Sequence, residues 1–164
     1  MTKYILTSVE PSQVKMYLKG NKDTEIRKSA PNPKPRLDQE ITEVPFVIKT
    51  KGSDSAYVRA EVSGVVRGEN TEKLWEENNG KLKFGISRSR YDEYYAGRNS
   101  REAVLIEFGS IQLIKPPIES LPGTQTYQYV DIDEGKHEFK DLGGEYRTEL
   151  IEKTEEIMRR LEKK

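Results

Sequence analysis

The sequence lacks cysteine altogether and is poor in histidine, tryptophan and long apolar runs. Without cysteine the chain has no disulfides, no thiolate zinc ligands and no cysteine nucleophile. A single histidine, His137, argues against histidine metal cages and Ser-His-Asp triads, so we expect no metal and no cofactor. No apolar run approaches the about 18 residues of a transmembrane helix, and the N-terminus does not resemble a signal peptide. We therefore expect a cytoplasmic protein that does not contact membranes.

The chain is strongly but evenly charged. Its 164 residues carry 28 basic and 28 acidic side chains, so the formal net charge is zero, and only 34% of the residues are hydrophobic. Domains that bind nucleic acid through a basic surface often have a pI above about 9, whereas the pI of this sequence is about 6.7. Binding to nucleic acid therefore requires a local basic patch.

Two segments of the sequence could supply such a patch. Residues 15–36 contain seven basic and two acidic side chains, and residues 88–101 contain four arginines among three tyrosines. Basic groups beside aromatic rings suit single-stranded nucleic acid, whose bases stack while its phosphates pair with cations. The aromatic residues can equally belong to the core. Tyr95 of the second segment and Trp75, which lies outside both segments, are our candidates for ligand contacts, with burial in the core as the alternative.

The order of apolar segments predicts an α+β domain with a small mixed or closed sheet of five to six strands and short flanking helices. Gly64 indicates a bulge in the strand predicted at 56–66, and the pair Pro116-Pro117 is expected to end a strand. Strands are predicted at 4–7, 44–51, 56–66, 103–108 with 111–114, and 126–130; short helices are predicted before Gly20, at 71–78 and from Ser87 or Ser89 through Tyr95.

The last part of the chain is predicted to form a polar linker, residues 132–144, and an amphipathic helix, residues 145–164. Leu150, Ile157 and Leu161 share one face of this helix. Two interpretations remain open. The helix packs on the domain formed by residues 1–131, or it pairs with a second copy of the chain and gives a homodimer.

A charged motif follows the first predicted helix. The run GNKDTEIR at 20–27 comes after a strand of the form ILTSVEP at 5–11 and a helix. This order resembles the ASCH domains of the PUA-like group, in which a strand and a helix precede G-x-K-x-x-E-x-R. Later segments, at 61–66, 74–97 and 103–130, resemble the remaining elements of the family in the same order, so the resemblance covers about residues 3–131.

The resemblance implies a fold and a class of function. It implies a small PUA-like β-barrel with flanking helices and a cleft beside the charged motif. PUA-like folds are associated with recognition of RNA or nucleotides, some ASCH proteins are nucleoside amidohydrolases, and nuclease activity has been associated with others. Our leading hypothesis is an ASCH module that binds RNA or a nucleotide. The alternative is a small hydrolase that acts on RNA or on modified nucleosides such as N4-acetylcytidine.

The motif itself supplies the candidate site residues Lys22, Glu25, Arg27 and Lys28. An arginine can bind a phosphate through two hydrogen bonds, and a lysine can add a second positive charge. A carboxylate can accept a hydrogen bond from a base amino group such as cytosine N4. The alternative is that these charges form a salt-bridge cluster that only fixes the segment.

Alternation along an extended strand predicts which of these side chains share a face. If residues 24–27 are extended, Glu25 and Arg27 lie on one face and Thr24 and Ile26 lie on the other. We expect Ile26 to enter the core, while Glu25 and Arg27 line the cleft.

If the chain is an enzyme, Lys22 and Glu25 are the candidate catalytic residues. The amidohydrolases of the family have a threonine three residues after the lysine, where this sequence has Glu25. Thr24 is one residue too early and would face the other side of a strand. A distant carboxylate could come from Glu76 or Glu77. Whether the chain is an enzyme stays open at this point.

Overall fold

A computed structural model describes residues 1–28, 44–68, 71–78, 80, 83–85, 87–94, 103–123 and 127–163. In these residues the chain forms seven strands and four α-helices. Their bounds are β1 Thr2–Val9, α1 Pro11–Leu18, β2 Thr24–Lys28, β3 Phe46–Thr50, β4 Ala56–Gly68, α2 Thr71–Asn78, α3 Arg88–Tyr94, β5 Ala103–Ile118, β6 Gln128–Ile132, β7 Glu138–Asp141 and α4 Gly144–Glu162.

All seven strands belong to one mixed sheet. Its order is β2-β5-β4-β3-β1-β6, and β7 pairs with the second half of β5. Only β1 and β3 run parallel among these pairs. The α+β class, the short flanking helices and the C-terminal helix are confirmed. The sheet has seven strands rather than five to six, and it is open rather than a closed barrel, because no pairing in the described residues joins β2 to β6.

The long strands β4 and β5 form the centre of the sheet. The expected bulge is present, since the register between them shifts on both sides of Val62, just before Gly64. The expected break at Pro116-Pro117 is wrong, because β5 continues to Ile118. The two prolines fall in a stretch where the pairing with β4 is irregular and the pairing with β7 has ended. Proline lacks an amide hydrogen and is tolerated at such positions.

The predicted linker, residues 132–144, contains regular structure. It includes a 3-10 helix, Glu134–Lys136, and the strand β7, which pairs with β5 from Gln112 to Lys115. The ring of Phe139 packs against the buried side chains of this part of the sheet. A strand of four residues carries too short a hydrophobic pattern to be recognised in a polar segment. The division of the chain at residue 131 stays a prediction.

Helices cover both faces of the β2 end of the sheet. On one face, α1 and α4 pack over a core that includes Tyr17, Ile106 and Phe108. On the other face, α2 and α3 cover a core that includes Ile26 and Leu105. None of the described helices is long and apolar enough to cross a membrane. The position of β2 between these two layers determines the surroundings of the charged motif.

The C-terminal helix α4 packs on α1 of the same chain. Its buried residues Leu150 and Ile157 belong to the same core cluster as Val14, Tyr17 and Leu18 of α1. Leu161 lies near the end of α4 and is 38% exposed. A homodimer through this helix stays a prediction.

Candidate functional site

The turn between α1 and β2 brings the charged motif back against the domain. Gly20 has a φ of 76°, a conformation that glycine adopts without steric cost and that ends α1. Lys22 then forms an isolated antiparallel bridge with Phe84. The amide of Phe108 donates to the carbonyl of Asp23 at 2.8 Å, and β2 begins at the next residue. Backbone contacts therefore fix the start of the motif on both sides.

The side chain of Lys22 lies against α1. Its Nζ donates a hydrogen bond to Oε1 of Gln13 and lies 5.2 Å from the centre of the Tyr17 ring. An ammonium group over an aromatic face is attracted by the negative charge of the ring face. Gly85 lies close to the aliphatic part of the Lys22 side chain. A Cβ added at Gly85 would be 2.9 Å from the Cβ of Lys22. The structure thus holds Lys22 between the helix and the 83–85 segment.

Glu25 is a buried carboxylate on β2, with 8% of the residue exposed. The hydroxyl of Tyr17 lies 2.9 Å from Oε2 of Glu25 and 2.5 Å from the carbonyl oxygen of Thr24. A buried carboxylate requires polar partners, since burial removes its hydration. We call Gln13, Tyr17, Lys22 and Glu25 the Lys22–Glu25 cluster. It joins two charged residues of the motif to two polar residues of α1.

The faces of β2 follow the predicted alternation. Glu25 is opposite Ile106 in the neighbouring strand, and Ile26 is opposite Leu105, so these pairs lie on opposite faces. Ile26 enters the core, as expected. The hydroxyl of Thr24 donates to the carbonyl of Lys83 at 3.1 Å. The threonine therefore lies on the face of Ile26, away from Glu25.

For three of the candidate site residues, Arg27, Lys28 and Tyr95, the structure does not describe the side chain. Arg27 and Lys28 complete β2, where Arg27 is opposite Val104 and thus on the face of Glu25. Their side chains lie outside the described part of the chain, and so does all of Tyr95. Their role as ligand contacts stays a prediction.

Trp75 is buried in an aromatic cluster. It is 9% exposed, its ring stacks on Phe84 with 4.5 Å between the centroids, and the centroid of Tyr91 is 4.7 Å away. Burial raises the pKa of the Tyr91 hydroxyl, which donates to the carbonyl of Thr71 at 2.5 Å. This cluster also contains Ile26 and so lies on the opposite face of β2 from Glu25. The arrangement favours the core interpretation of Trp75.

The structure also has a cavity of about 380 Å³ away from the motif. Three carboxylates and His137 contribute to its lining, and no lysine or arginine does, so it suits phosphate poorly. Within the described residues, no group of three or more histidine and carboxylate side chains could hold a metal ion. The lining residues are Ile118, Glu119, Ser120, Leu121, Pro122, Val130, Asp131, Ile132, Asp133 and His137.

Sequence reasoning missed Gln13 and Tyr17 as members of the site. Tyr17 lies on the apolar face of α1 and is fully buried, so its position in the helix predicts a core residue and not a polar contact. The two residues are four positions apart, so they lie on one face of the helix. A polar pair with this spacing just before the charged motif is the signal that could have identified them.

Comparison with solved structures gives the fold. The ASCH protein of Zymomonas mobilis matches with a TM-score of 0.60 and 21% identity, over 81% of this chain and 91% of that chain. A serine-to-alanine variant of that protein matches with a TM-score of 0.61 and 20% identity, over 81% of this chain and 92% of that chain. No protein-family model and no curated protein sequence matches. The chain has the fold of an ASCH domain.

Proposed function

We propose that the protein binds RNA or a nucleotide at the Lys22–Glu25 cluster. One observation carries this proposal. Side chains of α1 contact both the ammonium group of Lys22 and the buried carboxylate of Glu25, which follows Lys22 by three residues. Nucleotides offer the complementary pair of groups, an anionic phosphate and a base edge with amino donors. Preorganised polar groups recognise such a ligand without first having to be ordered.

Each charged residue has a distinct role in this proposal. The ammonium of Lys22 pairs with a phosphate oxygen. The carboxylate of Glu25 accepts a hydrogen bond from a base amino group, as acidic side chains do from cytosine N4. Arg27 follows on the same face of β2 and adds a second phosphate contact.

Two further facts support binding at this place. The ASCH fold is one in which RNA binding or hydrolysis is the general expectation. The chain has no net charge, so attraction for phosphate must come from a local group of cations such as the one in residues 15–36.

The alternative, a hydrolase of modified nucleosides, has less support. The hydroxyl of Thr24 donates to a backbone carbonyl on the opposite face of β2 from Glu25. Glu76 and Glu77 are exposed on α2, which covers that same opposite face. A threonine nucleophile and a carboxylate therefore do not meet at Lys22. We favour binding without hydrolysis for this reason.

The test measures binding of a labelled single-stranded RNA by fluorescence anisotropy at several salt concentrations. Lys22→Ala and Arg27→Ala should each weaken binding by about tenfold and reduce the slope of log K against log salt by about 0.7. Lys153→Ala is the matched control, because it removes one positive charge from α4, where the lysine is half-exposed. Equal losses in the control and the site variants would contradict the proposal.

A second assay addresses hydrolysis directly. Wild-type protein is incubated with N4-acetylcytidine and with the same RNA, and the products are separated by chromatography. We expect no turnover. Turnover that disappears in Lys22→Ala would replace the binding proposal with the hydrolase alternative.

A further inference from the structure

Helix α1 depends on other elements for its position. It has only eight residues, and it has no side-chain N-cap hydrogen bond and no acidic residue in its first turn. Isolated helices shorter than about 12–15 residues are marginal in water, so their stability comes from packing. Gln13 and Tyr17 are the residues that α1 contributes to the site. Their positions therefore depend on how α1 packs against the rest of the protein.

The C-terminal helix packs against α1, and both helices lie on the same core of the sheet. Leu150 and Ile157 of α4 are 0% and 3% exposed, and both share a core cluster with Val14, Tyr17 and Leu18 of α1. At the margin, Nζ of Lys15 lies 3.8 Å from Oε2 of Glu155. The interface is thus apolar in its centre with a charged pair at its edge.

Thr154 lies between these two buried positions of α4 and is fully buried. Its hydroxyl donates to the carbonyl of Leu150 at 2.8 Å, within the same helix. The buried hydroxyl therefore has its hydrogen-bond acceptor inside α4.

We infer that Ile157 is a positioning residue, which holds α1 and through it Gln13 and Tyr17 against Lys22 and Glu25. The inference rests on the proposed function, since it assigns to α4 control over the affinity of that same site. Ile157 itself does not contact the ligand. Truncating it leaves every charge of the site in place and loosens the helix that orients them.

The test uses the full-length chain with two readouts, hydrogen exchange of the α1 amides and RNA binding across salt concentrations. In Ile157→Ala, the amides of residues 14–18 should exchange about tenfold faster, while those of Leu105 and Ile106 in β5 keep their protection. RNA binding should weaken by about tenfold with an unchanged salt slope. An unchanged slope separates a positioning residue from a phosphate contact such as Lys22.

Two further variants control for general loss of stability. Ile157→Val should show smaller changes in the same direction, and it keeps the test decisive if the alanine variant does not fold. Leu161→Ala removes a more exposed side chain of α4 that lies beside Gly52 and does not belong to the core cluster that α1 and α4 share, and it should leave both readouts unchanged. Unchanged exchange in α1, or equal acceleration in α1 and β5, would overturn the inference. If the wild type binds no RNA, the proposed function fails, while the exchange data still decide whether α4 holds α1.

Discussion

The hydroxyl of Tyr17 lies 2.9 Å from Oε2 of Glu25, and both residues are buried. The same hydroxyl is 2.5 Å from the carbonyl of Thr24. One phenol therefore connects α1 to both the backbone and a charged side chain of β2. The connection joins the helix directly to the charged motif.

Removing that hydroxyl should destabilise the fold. Tyr17→Phe keeps the ring but leaves a buried carboxylate and a buried carbonyl without this donor, so we expect a loss of about 1–3 kcal/mol in the free energy of unfolding. Urea denaturation followed by circular dichroism measures it. Tyr129→Phe, at a half-buried tyrosine of β6, should cost less. A loss well below about 1 kcal/mol in Tyr17→Phe would mean that the Tyr17 contacts add little to stability.

Gly85 offers a way to displace Lys22 without changing its charge. Its φ is 78°, and an added Cβ would be 2.9 Å from the Cβ of Lys22. Gly85→Ala should cost about 1–2 kcal/mol for the left-handed backbone alone and should also weaken RNA binding. Gly80→Ala is a matched control, since Gly80 has a φ of 87° and its Cβ would meet nothing within 4 Å.

The control separates backbone strain from displacement of the lysine. Both variants should lose stability in urea denaturation because both place a side chain at a positive φ, and Gly85→Ala should lose more because its Cβ also meets Lys22. Only Gly85→Ala should change the anisotropy of the labelled RNA. Unimpaired binding in Gly85→Ala would show that the position of Lys22 is not important for the ligand.

Trp75 is the only tryptophan of the chain, so its fluorescence reports one environment. Because the ring is buried against Phe84 and Tyr91, we expect acrylamide to quench it weakly and RNA to leave it unchanged. Trp75→Ala should cost about 3–5 kcal/mol, as expected for a large buried ring, and Trp75→Phe should cost less. Strong quenching by RNA would favour the stacking interpretation instead.

The predictions that depend on local periodicity are the ones that the structure confirms. Alternation in β2 places Ile26 in the core and Glu25 on the other face. The bulge before Gly64 follows from a glycine inside a strand pattern. In each case the sequence pattern and the packing require the same arrangement. A short stretch of sequence is therefore sufficient to predict it.

The features that sequence reasoning missed depend on contacts between distant segments. Pairing with β5 turns a polar segment into β7, although only Phe139 marks it as apolar. The hydrogen bond from Lys22 to Gln13 depends on the turn at Gly20 and on the packing of α1. Neither can be deduced from the residues of one window.

A second polar network lies at the other end of the sheet. The hydroxyl of Tyr4 donates to Oε2 of Glu134 at 2.6 Å, and Nε of Arg59 donates to that hydroxyl oxygen at 2.8 Å. Burial raises the pKa of Tyr4 to about 12, so its hydroxyl keeps its proton at neutral pH. The network links β1 and β4 to the 3-10 helix that precedes β7.

Glu134 gives this network a pH dependence. Hydrogen bonds from the side chains of Thr2 and Tyr4 hold the pKa of Glu134 below its ordinary value of 4.5. A carboxylate with a lowered pKa contributes stability above pH 4.5, and this contribution is lost as the pH falls through its pKa in the folded protein.

We therefore expect Glu134→Gln to lower the urea midpoint at pH 7 and to change it little at low pH, where the wild-type carboxyl is already protonated. The effect should be modest, because Glu134 is only partly buried and solvent screens its charge. Urea denaturation between pH 3 and pH 7 measures the difference between the two proteins. Glu138→Gln removes an exposed carboxylate nearby and should leave the pH dependence close to that of the wild type. A constant difference between Glu134→Gln and the wild type across this range would contradict the assignment, since it would mean that the contribution of Glu134 does not depend on its charge.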